Sequence, residues 1–129
     1  MLDNLVKTVV SESGSDLHLS EDRVPVIRVA GFLIPLVNEK ALTRADIESI
    51  LNQILSPRTK KDFEENKNVD FAYSHEKVRF RGNAFYALGK ISVALRLIPK
   101  QIRTLAELNL PSVLEMFAGK QQGFFLCVG

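Results

Sequence analysis

The sequence predicts an α+β domain in which helices pack on one antiparallel sheet. Three observations predict it: an amphipathic helix opens the chain, three short strands follow, and two long strands with a tight turn come after a pair of helices. Strands that follow one another through short turns pair antiparallel, and helices grouped between them cover the sheet. We expect this domain to occupy about residues 1–98.

The first part of the chain is predicted to form one helix and three strands. Apolar residues recur at helical spacing over residues 2–11, and DLHLS at 16–20 alternates as a short strand. VPVIRVAGFLIPL at 24–36 predicts two strands around a turn at Ala30 and Gly31. These elements supply one side of the sheet and a helix that packs on it.

Two further helices are predicted from their first residues. Thr43 is a good N-cap, and Asp46 lies in the first turn, where the helix dipole favours an anion. Ser56 and Pro57 start the next helix, because proline is tolerated at the first helical position, and Phe63 is its main apolar anchor. The buried stripe of the first of these helices is predicted to contain Ile47, Ile50, Leu51, Ile54 and Leu55.

The second half of the chain carries the longest strand signals. NVDFAYS, KVRFRGNAFYA and KISVALRLI predict three strands, the last two joined by a turn near Leu88 and Gly89. Residues 99–110 show little periodicity and are predicted to be a linker. LPSVLEMFAGK predicts a short helix with Gly119 past its end, and GFFLCVG at 123–129 predicts a closing strand.

The hairpin brings arginines to one strand face. Alternation puts Arg79 and Arg81 on the same face, and a two-residue turn would set Arg81 directly opposite Arg96. A turn shifted by one residue makes that pair diagonal, and a three-residue loop separates it. Like charges directly opposite on a sheet cost about 0.2–1 kcal/mol, so an anion between them would be stabilising, and the guanidinium fork suits phosphate oxygens. The alternative is a solvated face on which both pair with Asp70 or Glu76.

Composition excludes several classes of function. The net charge of +2 is too small to predict nucleic-acid or membrane-surface binding, and no apolar run approaches the roughly 20 residues of a membrane-spanning helix. The single cysteine, Cys127, rules out an internal disulfide, matches a cytoplasmic location and is expected to be a core residue. His18 and His75 have no further ligands at metal-binding spacing, so we expect no metal site.

Six sequence blocks together resemble a known family. GSDLHLS, FEENKNVDFAYS, VRFRGNAF, SVALRLIP, TLAELNLPSVL and GFFLCVG occur in that order across almost the whole chain. In this register they are similar to the N-terminal part of the pilus-retraction (PilT) family of type II and type IV secretion ATPases. The resemblance implies a PAS-like N-terminal domain at 1–98, a linker at 99–110, and the start of a RecA-like ATPase domain at 111–129.

The resemblance also implies roles for particular residues. Gly129 matches the first glycine of a Walker A loop, so the chain would be cut at the P-loop. Arg81 and Arg96 match arginines that reach the ATP phosphates in such motors, and Arg79 is a further candidate for nucleotide contact or for holding the other two. The parent would bind ATP and Mg²⁺, whereas the fragment lacks the Walker lysine and Walker B carboxylate and is expected to bind neither and to have no enzymatic activity.

The implied partners are those of a pilus motor. They are the C-terminal ATPase domain of the same protein, neighbouring subunits of a homohexamer, and the pilus platform at the inner membrane, with no nucleic acid and no membrane insertion. Cytoplasmic ATP hydrolysis would then drive pilus retraction in twitching motility. Two alternatives stay open: a free-standing PAS-like module that binds a small ligand, and a homologous pilus-assembly or type II secretion ATPase.

Overall fold

The computed structural model describes residues 1–76, 78–100, 102–126 and 128, and within these it forms an α+β fold. The helices are α1 (Leu2–Ser11), α2 (Arg44–Ile54), α3 (Pro57–Asn66) and α4 (Val113–Ala118). The strands are β1 (Asp16–Ser20), β2 (Val26–Val29), β3 (Phe32–Pro35), β4 (Asn68–His75), β5 (Val78–Ala87) and β6 (Lys90–Ile98). The predicted fold class is therefore confirmed.

All six strands belong to one antiparallel sheet with the order β3-β2-β1-β6-β5-β4. Consecutive strands pair as two meanders, β1-β2-β3 and β4-β5-β6, because short turns join them. The meanders meet at the β1–β6 pair, which joins segments far apart in sequence. Helices α2 and α3 lie in the connection that carries the chain from one edge of the sheet to the other.

One face of the sheet is covered by helices and contains the core. The apolar stripes of α1 and α2 pack there against alternate strand residues, with Phe63 as the one buried residue of α3. Tyr86 stacks on Phe63 with a ring-centroid distance of 5.3 Å. Side chains that are 1% exposed or less on this face include Leu5, Val9, Leu17, Leu19, Ile47, Ile50, Phe80 and Leu95. The polar side chains of the strands are left on the opposite face.

A two-residue turn joins β5 to β6. Leu88 and Gly89 have φ values of 51° and 77°, the left-handed combination of a type I′ hairpin turn. The strands on either side close with Ala87 opposite Lys90. The facing-arginine prediction depended on the turn length, and the two-residue turn found here is the one that sets Arg81 directly opposite Arg96.

Gly82 interrupts the buried side of β5 for a packing reason. Its cross-strand partners are Phe71 on β4 and Leu95 on β6. A Cβ atom at Gly82 would lie 2.3 Å from the Phe71 ring and 2.9 Å from a methyl group of Leu95. The ring therefore occupies the space that a side chain at Gly82 would need.

The two predicted caps of the middle helices are confirmed. The Thr43 hydroxyl accepts from the Asp46 amide while the Asp46 carboxylate accepts from the Thr43 amide, which forms a capping box. The Ser56 hydroxyl accepts from the amide of Thr59, and Pro57 occupies the first turn of α3. These bonds satisfy backbone donors that a helix start leaves free.

The end of the chain departs from the prediction. Helix α4 forms as expected, but 124–126 and 128 are not in a strand, so the predicted closing strand is wrong over the residues of 123–129 that the structure describes. A strand needs a neighbour to accept and donate its backbone hydrogen bonds, and none of the described residues of this segment pairs with the six-stranded sheet. Phe125 instead stacks on Phe117 of α4 at 5.1 Å. Cys127 and Gly129 lie outside the described residues.

Within the described residues, no helix combines the length and the apolarity needed to cross a membrane.

Candidate functional site

A row of four charged side chains crosses the open face of the sheet. Arg28 on β2 is the cross-strand partner of Asp16 on β1, and Asp16 is in turn the partner of Arg96 on β6. Arg96 is directly opposite Arg81 on β5. Directly paired residues point to the same side of a sheet, so all four side chains project from the face that the helices do not cover.

Asp16 is the buried member of this row. It is 5% exposed and is the one buried charged residue in the described part of the chain. Arg96 Nε donates to its Oδ1 at 2.8 Å, the Ser15 hydroxyl donates to its Oδ2 at 2.8 Å, and Arg28 Nε lies 3.4 Å from Oδ2. Burial by itself raises the pKa of Asp16, but the hydrogen bonds from Arg96 and Ser15 and the charge of Arg96 outweigh it, so the pKa lies below its ordinary value. The group is therefore a carboxylate at neutral pH.

Arg96 is anchored at one end and open at the other. Its contact with Asp16 uses Nε, and its side chain is 73% exposed. A guanidinium has five N–H donors in a planar fork, so the two terminal nitrogens of Arg96 remain available after the Nε bond is made. That edge can bind an anion without breaking the contact with Asp16.

Arg81 is held more loosely than Arg96. Its terminal nitrogen lies 3.7 Å from Asp70, and the two side chains are 74% and 64% exposed. Ion pairs this exposed contribute about 0–1 kcal/mol and exchange readily with solvent. The Asn83 amide donates to Asp70 at 3.1 Å and keeps that carboxylate beside the arginine. The alternative of a pairing with Asp70 is thus observed as a contact, and it leaves most of Arg81 free.

Arg79 lies on the same face, two residues before Arg81. It is exposed, and its cross-strand partners are Ser74 on β4 and Ile98 on β6. None of the ion pairs found among the described residues involves Arg79. Gly129, the other residue predicted to meet nucleotide, lies outside the described residues.

A shallow cleft follows the row of charges. It has a volume of about 290 Å³ and is lined by Asp16, His18, Asp70, Arg81, Gly82, Asn83, Ala94 and Arg96. Burial lowers the pKa of His18, and the charges of Arg28 and Arg96 lower it further against the opposing effect of Asp16. The imidazole is therefore neutral at pH 7. Over the positions that the structure describes, no three His, Cys, Asp or Glu side chains converge to hold a metal ion.

Chemically, the cleft offers charged donors that suit an anion. Arginine donors cannot be deprotonated in the physiological range, and they match the spacing of phosphate or carboxylate oxygens. The carboxylates present are engaged by arginines and the Asn83 amide. What the face can do is neutralise and orient a negatively charged group that is brought to it.

Known proteins resemble this chain over nearly all of its length. It is 31% identical to the type IV pilus ATPase PilU of Pseudomonas aeruginosa across 98% of the chain, and 32% identical to the type IV pilus retraction ATPase PilT of the same organism across 92%. The crystal structure of the pilus retraction motor PilT with bound ADP superposes with a TM-score of 0.76 at 30% identity, covering 91% of the chain. Over nearly its whole length the chain is therefore similar to the N-terminal part of PilT-like type IV pilus ATPases.

The chain spans about one third of the length of these relatives, between 33% and 34%. Its identities to PilU and PilT are nearly equal, so the match is to the PilT-like family and not to one of its members. No protein-family model matches the chain. The family resemblance expected from six short sequence blocks is confirmed, which favours a pilus or secretion ATPase domain over a free-standing module.

Asp16 is the member of this candidate site that the sequence did not single out. Strand alternation identified the face of Arg81 and Arg96, because both lie in one hairpin. Asp16 reaches Arg96 across 80 residues of sequence, through a strand pairing that no turn dictates. The available signal was an acidic residue in a short strand whose other face is apolar, which is unusual unless a cation pairs with it.

Proposed function

We propose that this chain is the N-terminal domain of a type IV pilus motor and that it presents Arg81 and Arg96 to the phosphates of ATP. The observation that carries the proposal is their direct opposition on β5 and β6, with both guanidinium groups on an open face. In an antiparallel pair the two Cα atoms are about 4.5–5.5 Å apart. Two forks at that spacing can reach oxygens of one polyphosphate.

The physical role of the arginines would be to offset charge. Phosphoryl transfer spreads negative charge over the transferred oxygens, and fixed cations stabilise it with little reorganisation. A strand is a stiff support, and Arg96 is further restrained by Asp16. Arg79, exposed on the same face, would be a third contact at the edge of the site.

The remaining parts of the motor belong to the same proposal. Residues 1–98 would be the PAS-like domain, 99–110 the linker, and 111–129 the start of a RecA-like domain whose Walker A loop begins at Gly129. ATP and Mg²⁺ would be held by that ATPase domain within a homohexamer, and Mg²⁺ would supply further charge neutralisation. The linker would act as the hinge that brings the arginines to the nucleotide and withdraws them.

We further propose that the motor works in the cytoplasm at the inner-membrane base of the pilus and powers retraction. This rests on the relatives, which are named as pilus ATPases, and one of which is named as a retraction motor. Reading the gene beyond Gly129 tests the first step of the proposal. A glycine-rich loop that ends in Gly-Lys-Ser or Gly-Lys-Thr is expected, and a stop codon would reject the motor.

ATP turnover by the full-length protein tests the role of the arginines. Arg81→Ala and Arg96→Ala should each lower turnover by about 10³-fold or more, the range seen for arginines that contact a transferring phosphoryl group. Arg58→Ala is the matched control, since Arg58 is exposed on α3, which packs on the other side of the sheet. Near-normal turnover of the Arg81 and Arg96 variants, with intact assembly, would reject the proposal.

A further inference from the structure

Arg81 and Arg96 are direct partners in the strand register, but the carboxylates that contact them differ in burial and distance. Arg96 is joined to a carboxylate that is 5% exposed, at 2.8 Å. Arg81 lies 3.7 Å from a carboxylate whose side chain is 64% exposed. The two facing arginines therefore differ in the restraint placed on the guanidinium, although the same hairpin carries them.

The geometry points to Asp16 as a positioning residue, which fixes the guanidinium of Arg96 so that its terminal nitrogens face a bound phosphate; this inference rests on the proposed function. Asp16 accepts a hydrogen bond from Nε of Arg96, so the two terminal nitrogens of the guanidinium stay free. A carboxylate that bound both terminal nitrogens would instead compete with phosphate for them. The contact therefore orients the guanidinium and leaves its terminal N–H groups free to bind phosphate.

Asp16 is itself held from two further directions. The Ser15 hydroxyl donates to Oδ2 at 2.8 Å, and Arg28 Nε lies 3.4 Å from the same oxygen. Arg28 also donates to the Gly31 carbonyl at 2.9 Å in the β2–β3 turn, so it is anchored on its other side. A carboxylate bound by fixed partners cannot swing, and the restraint passes to Arg96.

Asp16 also reduces electrostatic repulsion along the row. Arg28, Arg96 and Arg81 occupy consecutive paired positions, except that Asp16 stands between the first two. Without its charge Arg28 and Arg96 would flank a neutral residue on β1, and Arg96 would still face Arg81 on the neighbouring strand β5. Removing that charge should let the Arg96 side chain leave the row for solvent, which would cost rate because a guanidinium must then be ordered at each turnover.

A double-mutant cycle in the full-length ATPase separates positioning from a merely structural role. Partners that orient a functional group are typically worth 10–100-fold, so Asp16→Asn should lower kcat by about that factor while the KM for ATP changes by less than about threefold. If Asp16 acts through Arg96, the Asp16→Asn/Arg96→Ala protein should be no slower than Arg96→Ala alone. Glu48→Gln is the matched control, because it removes an arginine-bonded carboxylate at 3.0 Å on the surface of α2 and should leave kcat unchanged.

The cycle distinguishes failure of this inference from failure of the proposed function. If Arg96→Ala slows turnover and the Asp16→Asn loss multiplies with it, Asp16 does not act through Arg96 and the inference is overturned. If Arg96→Ala itself turns over normally, the proposed function fails. Wild-type kcat in Asp16→Asn also overturns the inference.

A second measurement needs no substitution at Asp16 and no catalysis. In NMR spectra of this chain, the Nε–H proton of Arg96 should exchange with water at least about tenfold more slowly than those of Arg81 and Arg79, because it donates to a buried carboxylate. Arg96→Lys identifies the signal. Equal exchange rates for the three arginines would overturn the inference, even if Asp16→Asn proved too unstable to assay.

Discussion

Arg81 and Arg96 are direct cross-strand partners, and their guanidinium groups leave the face of the sheet that carries no helix. Each has a carboxylate beside it, buried Asp16 for Arg96 and exposed Asp70 for Arg81. The like charges are thereby compensated in part, and both forks retain free donors. This arrangement depends on the turn, the packing of β5 and the stability of the helices behind the sheet, and each of these can be tested.

The turn residue Leu88 is expected to limit stability. It has a φ of 51° and a fully exposed side chain, so it has the strain of a left-handed residue without any burial. Leu88→Asn should raise the free energy of unfolding by up to about 1 kcal/mol, because asparagine tolerates this conformation and favours type I′ turns. Chemical denaturation measures the change. Leu88→Val is the contrasting variant and should be destabilising, and a stabilisation by valine would contradict the turn assignment.

Gly82 is expected to tolerate no side chain. Gly82→Ala places a methyl group 2.3 Å from the Phe71 ring, so the ring must move out of the core. Overpacking of this kind costs about 1–3 kcal/mol of unfolding free energy. Gly119→Ala is the control, because its φ is −81° and the added atom would meet backbone at 3.5 Å. Equal thermal stability of the two variants would show that β5 and β4 do not pack as described.

The capping box of α2 predicts a loss of stability in acid. The amide and hydroxyl of Thr43 and the ammonium of Lys40 lower the pKa of Asp46 from 3.8 to about 2. A folded-state pKa below the unfolded value stabilises the fold above pH 4, and this contribution is lost as the pH falls from about 4 to about 2. Asp46→Asn should therefore be less stable than wild type at pH 7, and the difference should shrink toward pH 2. A difference independent of pH would contradict the carboxylate's role.

Local sequence signals were sufficient for the hairpin half of the site. Alternation in VRFRGNAF and SVALRL, together with Gly89 in the turn, determines which side chains share a face. The starts of α2 and α3 were equally predictable, because the side chains of Thr43 and Ser56 each accept a hydrogen bond from a backbone amide three residues later. These features depend on neighbours in the chain, which is why the sequence predicts them.

Non-local pairing explains what the sequence did not predict. The β1–β6 contact that brings Asp16 to Arg96 joins residues 80 positions apart, and sequence alternation does not specify which strands become neighbours. The same limit applies to residues 123–129, where an apolar run predicted a strand. Whether such a run pairs depends on an available strand edge, and in the described structure Phe125 lies on Phe117 of α4 instead.

The most direct test of the central claim is a structure of the full-length protein, in the hexamer we propose, with a non-hydrolysable ATP analogue. We predict that terminal nitrogens of Arg81 and Arg96 lie about 2.7–2.9 Å from phosphate oxygens in closed subunits, the length of charge-assisted hydrogen bonds. The Nε contact of Arg96 with Asp16, 2.8 Å in the present structure, should persist in that state. If both guanidinium groups remain in solvent while nucleotide is bound and the ring is closed, this face does not serve the phosphates and the account is wrong.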